Sequence, residues 1–174
     1  MTKVALFGIV FAWILWISWP SLRDPRSHGF YRFFAFAFIL ILVLRVLDVW
    51  FAEPLVRRQV VSWFLLLASL LLAAHGFYLL RMIGRPEGGL ESTTRLVVRG
   101  AYRYIRHPLY TSLLLFALGA LLKAPSLLNG GIVILVSGFL YATAKVEERE
   151  NLQRFGDEYA RYIRSTKMLV PFVF

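Results

Sequence analysis

The chain has 174 residues, of which 59% are hydrophobic and only 17% are charged. Ordinary soluble domains have roughly 45–50% apolar and about 25% charged residues, so this composition excludes a disordered chain and argues against a soluble globular domain. The formal charge of +10 in so apolar a chain indicates membrane topology before nucleic-acid binding, because basic residues collect in the cytoplasmic loops of membrane proteins.

Five hydrophobic segments follow along the chain, each a candidate membrane-spanning helix, because about 20 apolar residues cross a bilayer as a helix. They occupy residues 4–19, 30–51, 61–80, 109–122 and 127–146. Pro20 is expected to end the first segment. The fourth would be only about 21 Å long, less than a full hydrocarbon core. The sequence therefore predicts a single all-α domain over residues 1–174, a polytopic membrane protein with about five transmembrane helices.

The turn between the fourth and fifth segments has a clear signature. Lys123-Ala124-Pro125-Ser126 predicts a tight turn with Ser126 as the N-cap of the next helix. Four glycines fall in this hairpin, which predicts that its two helices pack closely against each other. They are Gly119, Gly130, Gly131 and Gly138.

Basic residues cluster in three places: the first loop, residues 81–106, and the tail after residue 146. The positive-inside rule places all three on the cytoplasmic side, with the N-terminus outside, although Arg57 and Arg58 would then lie outside and break the pattern slightly. The polar segments 84–110 and 145–171 would then meet at the cytoplasmic mouth of the bundle. We expect a composite pocket there, facing the cytoplasm.

The C-terminal polar segment predicts an amphipathic helix on the membrane surface, because an apolar stripe recurs in it at helical spacing. The stripe consists of Leu152, Phe155, Tyr159 and Tyr162. Glu147 and Glu148 lie where the fifth span leaves the bilayer. Carboxylates so close to hydrocarbon need a partner, either an arginine or a ligand.

The other polar segment ends in Arg106-His107-Pro108. Proline suits the first turn of a helix, which leaves His107 at a helix N-terminus beside free backbone donors. Such a position binds a carboxylate or a phosphate well. The alternative is that Arg106 and His107 only anchor the helix at the membrane surface.

Two spaced motifs combine these residues. The first reads Leu96-Val97-x2-Gly100-x-Tyr102-x3-Arg106-His107-Pro108-x-Tyr110, and the second reads Glu147-Glu148-x6-Phe155-Gly156-x2-Tyr159-x2-Tyr162. Together they resemble the signature of the integral membrane methyltransferases, which include isoprenylcysteine carboxyl methyltransferases and phospholipid N-methyltransferases. The resemblance extends from about Leu96 to Pro171, and the first three spans match only in being hydrophobic.

The resemblance implies methyl transfer from S-adenosylmethionine, with S-adenosylhomocysteine as product, to a hydrophobic or lipid-borne acceptor that enters from the bilayer. Arg106 matches an arginine important for activity, and we take it as the candidate for orienting or polarising the acceptor. No covalent nucleophile is required, so the lack of cysteine is no objection. The implied donor-binding residues are Thr94, Arg95, Leu96, Val97, Tyr102, His107, Pro108, Leu109, Tyr110, Glu147 and Glu148.

One departure from the family pattern bears on the acceptor. The isoprenylcysteine branch resembles this chain except for an arginine one helical turn before the first glutamate, which meets the substrate carboxylate. Thr143 stands at that position here. This weakens the case for a carboxylate acceptor and leaves an amine, a thiol or another lipid-borne nucleophile open.

Two other functions fit parts of the pattern. Sterol-type membrane reductases share the C-terminal pattern and use NADPH, but their larger bundle and their aspartate and cysteine have no counterpart here. A non-catalytic protein that binds anionic lipids would explain the basic segment but not the ordered spacing of the two motifs. The basic loop is held at a membrane face, which disfavours nucleic acid as a partner. Three scattered histidines offer no metal-ligand spacing. The sequence does not define an oligomeric state.

Overall fold

The computed structural model describes residues 2–87 and 93–170, and within these ranges its regular elements are all helical, which confirms the predicted all-α class. The α-helices are α1 (Thr2–Leu22), α2 (His28–Val46), α3 (Arg57–Leu79), α4 (Pro108–Lys123), α5 (Leu127–Phe155) and α6 (Asp157–Ser165). Short turns of 3-10 helix occupy Leu47–Val49 and Gly100–Arg103, and a π-helical turn covers Leu80–Gly84.

Four helical segments of the described chain are long and apolar enough to cross a membrane. They are Ala5–Leu22, His28–Val49, Arg57–Gly84 and Leu127–Phe155. At 16 residues, α4 is shorter and spans about 24 Å. The chain is therefore a membrane protein by helix length and composition, and a fifth span through α4 stays a prediction.

The predicted helix end at Pro20 is wrong, and a second helix extends beyond its predicted membrane span. α1 runs through Pro20 to Leu22, because a proline in the last turn forfeits only one backbone donor there. α5 continues past residue 146 to Phe155, since no helix-breaking residue occurs before Gly156. Gly156 has φ 54° and ψ −129°, a conformation open chiefly to glycine, and it separates α5 from α6. The predicted C-terminal stripe is thus divided between two helices.

The helices pack in two principal pairs, α3 with α4 and α2 with α5, while α1 packs mainly against α2. Gly119 allows the first pair to approach closely, since a Cβ there would lie 2.9 Å from Cγ of Leu66 on α3. Ser62 reinforces the contact by donating a 2.7 Å hydrogen bond to the Gly119 carbonyl. The predicted close packing at Gly119 therefore exists, but its partner is α3 and not α5.

The core lies between α2, α4 and α5 and is built from small and branched side chains. Leu42, Val46, Ala117, Val136 and Leu140 are among its fully buried members. The predicted turn after α4 is confirmed, because the Ser126 side chain accepts a hydrogen bond from the amide of Asn129. Many large apolar side chains of α1 and α3 lie outside this core and face outward, as expected of helices that contact lipid.

The two ends of the bundle differ in chemistry. The polar end consists of the α1–α2 turn, residues 80–87 and 93–107, and residues 147–170. Most described residues of both predicted polar segments therefore lie there, while residues 88–92 and 171 fall outside the described ranges. The opposite end contains the 47–56 connection and the α4–α5 turn. At that end Lys123 is only 1% exposed, donates to Gln59 Oε1 at 2.9 Å and lies 3.4 Å from the ring centroid of Trp63.

Candidate functional site

The loop after α3 is fixed at the polar end by one carbonyl. Gly84 accepts hydrogen bonds from the amides of Thr94 at 2.9 Å and Arg95 at 3.2 Å. The Thr94 hydroxyl donates to the Arg85 carbonyl at 3.0 Å. These contacts place Leu96 and Val97 beside the π-helical turn that follows α3. That turn ends where Arg85 adopts a left-handed conformation with φ 45°.

Residues 104–107 run alongside residues 167–168 as a short parallel pairing. The amide of Arg106 donates to the Lys167 carbonyl at 2.8 Å, that of His107 to Met168 at 3.2 Å, and that of Lys167 to Tyr104 at 3.1 Å. The C-terminal segment thus fixes the Arg-His-Pro motif at the start of α4, although about 60 residues separate this segment from the motif in sequence.

Glu147, His107 and Tyr110 form the centre of the site. The Tyr110 hydroxyl donates a 2.6 Å hydrogen bond to Glu147 Oε2, and His107 Nδ1 lies 3.5 Å from the same oxygen. The His107 and Tyr110 rings stack with centroids 5.3 Å apart. The His107 side chain is 3% exposed, whereas that of Glu147 is 21% exposed, so the carboxylate is the member that a ligand can reach.

Glu148 lies on the other side of His107 and is held by Arg106. Arg106 Nε donates to Glu148 Oε1 at 2.5 Å, and its Nη1 donates to the carbonyls of Thr166 at 2.6 Å and Ile163 at 3.3 Å. Those carbonyls are at the C-terminal end of α6, where a cation is favourable. Arg106 therefore links Glu148 to α6, and these contacts stabilise the structure at this end of the bundle.

The electrostatics of His107 follow from its two carboxylate neighbours. Burial alone would lower the pKa of the imidazole, but Glu147 and Glu148 outweigh burial and raise the pKa of His107 above its ordinary value. Its Nε2 is 3.7 Å from Glu148 Oε1, and it has no hydrogen-bond partner among the described residues. An uncharged His107 thus sits in a cluster with one arginine and two carboxylates, an excess of one negative charge.

A cleft opens beside Glu147 and contains about 630 Å³ of space between its lining atoms, part of it open to solvent. Eight of the predicted residues line it: Leu96, Val97, Tyr102, Arg106, His107, Leu109, Tyr110 and Glu147. Four predicted donor-binding residues do not: Thr94, Arg95, Pro108 and Glu148. Of these, Glu148 contributes through Arg106 and His107, and Thr94 fixes the loop.

Six further residues complete the lining, and the sequence reasoning did not assign them to the site. They are Leu80, Thr93, Asn151, Phe155, Tyr159 and Tyr162. Phe155, Tyr159 and Tyr162 were visible in the sequence as an apolar stripe, but the break at Gly156 turns the two tyrosines into the protein. Leu80, Thr93 and Asn151 carry no sequence signal that points to a ligand.

The tyrosines of the cleft form an uncharged aromatic wall. Burial raises the pKa of Tyr102, Tyr159 and Tyr162, so these phenols stay neutral at physiological pH. The Tyr162 hydroxyl donates to the Tyr102 carbonyl at 2.6 Å, which joins α6 to the loop. Neutral aromatic rings beside a carboxylate favour a cationic ligand.

An apolar groove lies on the other side of the 104–107 segment. It contains about 1080 Å³ of space open to the surroundings, and almost all of its lining surface is apolar. Its residues are Leu72, Ala101, Tyr104, Ile105, Thr111, Leu115, Leu169 and Val170. Ile105 faces the groove and Arg106 the cleft, so a single extended segment separates an apolar compartment from a polar one.

A contact from the first loop to α5 was not expected, since the sequence gives His28 no neighbours of interest. His28 Nδ1 lies 2.5 Å from Glu150 Oε2, and the His28 amide donates to Glu150 Oε1 at 3.3 Å. This contact holds the start of α2 against α5 one turn beyond Glu147. The two residues are 122 positions apart, and no local pattern links them.

Comparison with known proteins identifies related sequences. Residues 57–158 match the family model described as phospholipid methyltransferase. The chain is also 27% identical over 123 residues to methanethiol S-methyltransferase 1 of Bradyrhizobium diazoefficiens. That alignment covers 69% of this chain but only 42% of the relative's length. No solved structure matches the chain significantly.

Proposed function

Because this chain belongs to the phospholipid methyltransferase family, we propose that it transfers a methyl group from S-adenosylmethionine to a nucleophile on a hydrophobic or lipid-borne acceptor. The observation that carries the proposal is Glu147, a reachable carboxylate held by Tyr110 at one side of a cleft with aromatic walls. The family supports methyl transfer itself, and the donor and the acceptor class are the finer part of the proposal.

The residues of the cleft fit the donor. S-adenosylmethionine supplies an electrophilic methyl group on a positively charged sulfonium. Glu147 offers the charge that such a cation needs, and Tyr102, Tyr159 and Tyr162 offer ring faces for cation–π or adenine contact. Leu96 and Val97 provide an apolar wall suited to the adenosine end.

The acceptor is proposed to approach from the bilayer side. The groove beside the 104–107 segment suits the apolar part of a lipid or lipid-like molecule, and its end at Ile105 lies next to Arg106 in the cleft wall. Thr143 is completely buried and its hydroxyl donates to the Phe139 carbonyl, so it offers no cation for a carboxylate acceptor. An amine or a thiol is favoured, in keeping with the relative named for methanethiol.

The site is proposed to face the cytoplasm. The polar end carries the basic residues of the first loop, the 81–106 segment and the tail, whereas Arg57, Arg58 and Lys123 are at the opposite end. The positive-inside rule then orients the polar end inward. A water-soluble donor would reach the cleft from that side.

What the chain contributes to the reaction is positioning and charge. In-line displacement needs two reactants held in line and shielded from water. In this proposal Glu147 binds the cationic donor and the tyrosines exclude water. The contacts from Arg106 to Glu148 and α6 fix the shape of the cleft. Arg106 also reaches the cleft lining, so orientation of the acceptor by its guanidinium stays a prediction.

Calorimetry on the detergent-purified protein tests the donor. We expect S-adenosylhomocysteine to bind, NADP not to bind, and Glu147→Gln to weaken binding far more than it lowers the unfolding temperature. Glu53→Gln, an exposed residue at the opposite end, is the matched control and should bind like wild type. Radiolabelled donor with a lipid extract and with small thiols then identifies the product. Retention of NADP without S-adenosylhomocysteine would replace this proposal with the reductase.

A further inference from the structure

The net charge of the cluster around His107 depends on whether the imidazole is protonated. We call this group, which contains Arg106, Glu147, Glu148 and His107, the His107 cluster. Its buried part holds one arginine, two carboxylates and an imidazole, and it is negative by one charge when the imidazole is neutral. Leaving a net charge uncompensated in a water-poor site is costly, so the cluster favours one additional positive charge. The reaction removes a positive charge from this same place, because the donor sulfur is cationic before transfer and neutral after it.

We propose that the proton released by the acceptor passes through Glu147 to His107, so that the acceptors of this protein are nucleophiles that carry a proton. This inference rests on the proposed function. It assigns to Glu147 and His107 a second task besides donor binding, and it restricts the acceptor to a thiol or a primary or secondary amine. A carboxylate or a tertiary amine has no proton to give.

The geometry provides the route. Glu147 is the member of the pair that lines the cleft and is partly exposed, and its Oε2 lies 3.5 Å from His107 Nδ1. On the other side of the ring, His107 Nε2 lies 3.7 Å from Glu148 Oε1. Arg106 Nε lies 2.5 Å from the same oxygen and fixes its position. A neutral His107 with its proton on Nε2 therefore presents the Nδ1 lone pair to Glu147. Protonation of Nδ1 gives an imidazolium between two carboxylates.

The step balances in atoms and charge. For a thiol, the acceptor sulfur forms the new bond to the methyl carbon with its lone pair. The old bond to the donor sulfur breaks and leaves its electron pair there. The thiol proton goes to Glu147 and then to His107. One cation before the reaction, the sulfonium, is replaced by one cation after it, the imidazolium, so the net charge of the site does not change.

Other charged and titratable groups surround the His107 cluster and modulate this effect. Lys145 lies 3.8 Å from Glu148, but its side chain is 47% exposed and water screens it. His28 is paired with Glu150, and the ring of Tyr110 that covers His107 is neutral. The two carboxylates raise the pKa of His107 above its ordinary value, which favours the protonated ring. Further groups that act on the cluster are Arg32, Tyr102 and Tyr159.

The first test counts protons on ligand binding and needs no acceptor. S-adenosylmethionine and S-adenosylhomocysteine differ by one methyl group and one positive charge. Calorimetry in buffers of different ionisation enthalpy, at about pH 7, should show that the cationic ligand expels a fraction of a proton that the neutral-sulfur ligand leaves in place. His107→Gln should abolish the difference. His75→Gln, an exposed histidine whose Nε2 accepts from the Ala101 amide, is the matched control and should preserve it.

The second test varies the acidity of the acceptor. An alkanethiol keeps its proton at neutral pH, whereas an arylthiol of similar size is largely ionised. His107→Gln should slow methylation of the alkanethiol by about 100-fold or more and that of the arylthiol by less than about 5-fold. The pH dependence of alkanethiol turnover should flatten as well.

The outcomes separate this inference from the proposed function. Equal losses with both thiols, or equal proton counts for the two ligands in wild type, would overturn the proton route while donor binding stands. Methylation of a carboxylate and of no thiol or amine would do the same. Absence of binding of either ligand would overturn the proposed function itself.

Discussion

The hydroxyl of Tyr110 donates a 2.6 Å hydrogen bond to the carboxylate of Glu147 and so joins the first turn of α4 to the polar part of α5. The two helices follow each other in the chain, yet these residues lie at the ends farthest from their connecting turn. The hydrogen bond therefore connects α4 and α5 on the side of the bundle opposite the turn that joins them. It also leaves Glu147 oriented toward the cleft.

Removal of this hydroxyl should weaken donor binding. Tyr110→Phe keeps the ring that covers His107 but deprives Glu147 of its donor, and a hydrogen bond to a charged group contributes about 1.5–3 kcal/mol. We expect the affinity for S-adenosylhomocysteine to fall about 10- to 100-fold by calorimetry. Tyr78→Phe, at an exposed tyrosine on α3, should leave affinity unchanged. Equal affinity in both variants would remove Tyr110 from the site.

Replacement of Arg106 by lysine should lower the stability of the fold more than it affects the methyl-transfer step. A single ammonium cannot reproduce the fork that reaches Glu148 and the two α6 carbonyls, and breaking a buried pair costs about 3–5 kcal/mol. Thermal unfolding of Arg106→Lys should occur at a clearly lower temperature. If the unfolding temperature holds while turnover is lost, Arg106 acts on the acceptor, as its motif position suggests.

The stability of the protein should fall as pH rises through the range of His107. The pKa of His107 is raised in the folded state, so the folded protein binds the proton more tightly than the unfolded chain does. The resulting stabilisation is complete below the unfolded pKa of about 6.5 and is lost as pH rises through the higher folded value. Unfolding temperatures from about pH 5.5 to 8.5 should decline more in wild type than in His107→Gln. Parallel curves would contradict the assignment.

A single methyl group added at Gly156, between α5 and α6, should destabilise the arrangement of these two helices. Gly156 has φ 54° and ψ −129°, and an alanine there is strained by about 1–3 kcal/mol. Gly156→Ala should loosen α6, displace Tyr159 and Tyr162, and weaken donor binding. Gly138→Ala provides the matched control, because an added Cβ meets no described atom within 4 Å, and it should keep or slightly improve stability. Similar affinity in the two variants would argue against a role for the break.

A change at the opposite end should separate folding from function. Lys123→Ala removes an ammonium that donates to Gln59 and lies over the Trp63 ring, which leaves Gln59 without this partner. A loss of about 1–3 kcal/mol in the free energy of unfolding is expected. Donor affinity of the folded fraction should match wild type. A large fall in affinity would mean that the two ends are coupled.

Much of the site could be predicted because its chemistry lies in two ordered motifs. Arg106, His107 and Glu147 were expected at one end of the bundle, and the structure brings all three to one cleft wall. The helices themselves followed from hydrophobic segments of spanning length. Ser126 was identified as an N-cap from the local pattern alone.

The remainder depends on contacts that local patterns do not encode. The sequence places His107 at a helix N-terminus suited to an anion, but two carboxylates brought in by α5 reverse the local charge. Tyr159 and Tyr162 have the spacing of a surface stripe, and only the backbone angle at Gly156 turns them into the cleft. The contact between His28 and Glu150 arises from the packing of α2 on α5.

The pairing of residues 104–107 with 167–168 has a consequence for biosynthesis. Lys167 and Met168 leave the ribosome after α1 to α6 have been made, and the Arg106 and His107 amides lack their partners in residues 167–168 until then. The spans can insert and associate earlier, but the cleft can be completed only after residues 167–168 have been made. A nascent chain stalled before residue 166 would therefore be membrane-inserted and inactive, and ligand added during synthesis could not assist its earlier folding.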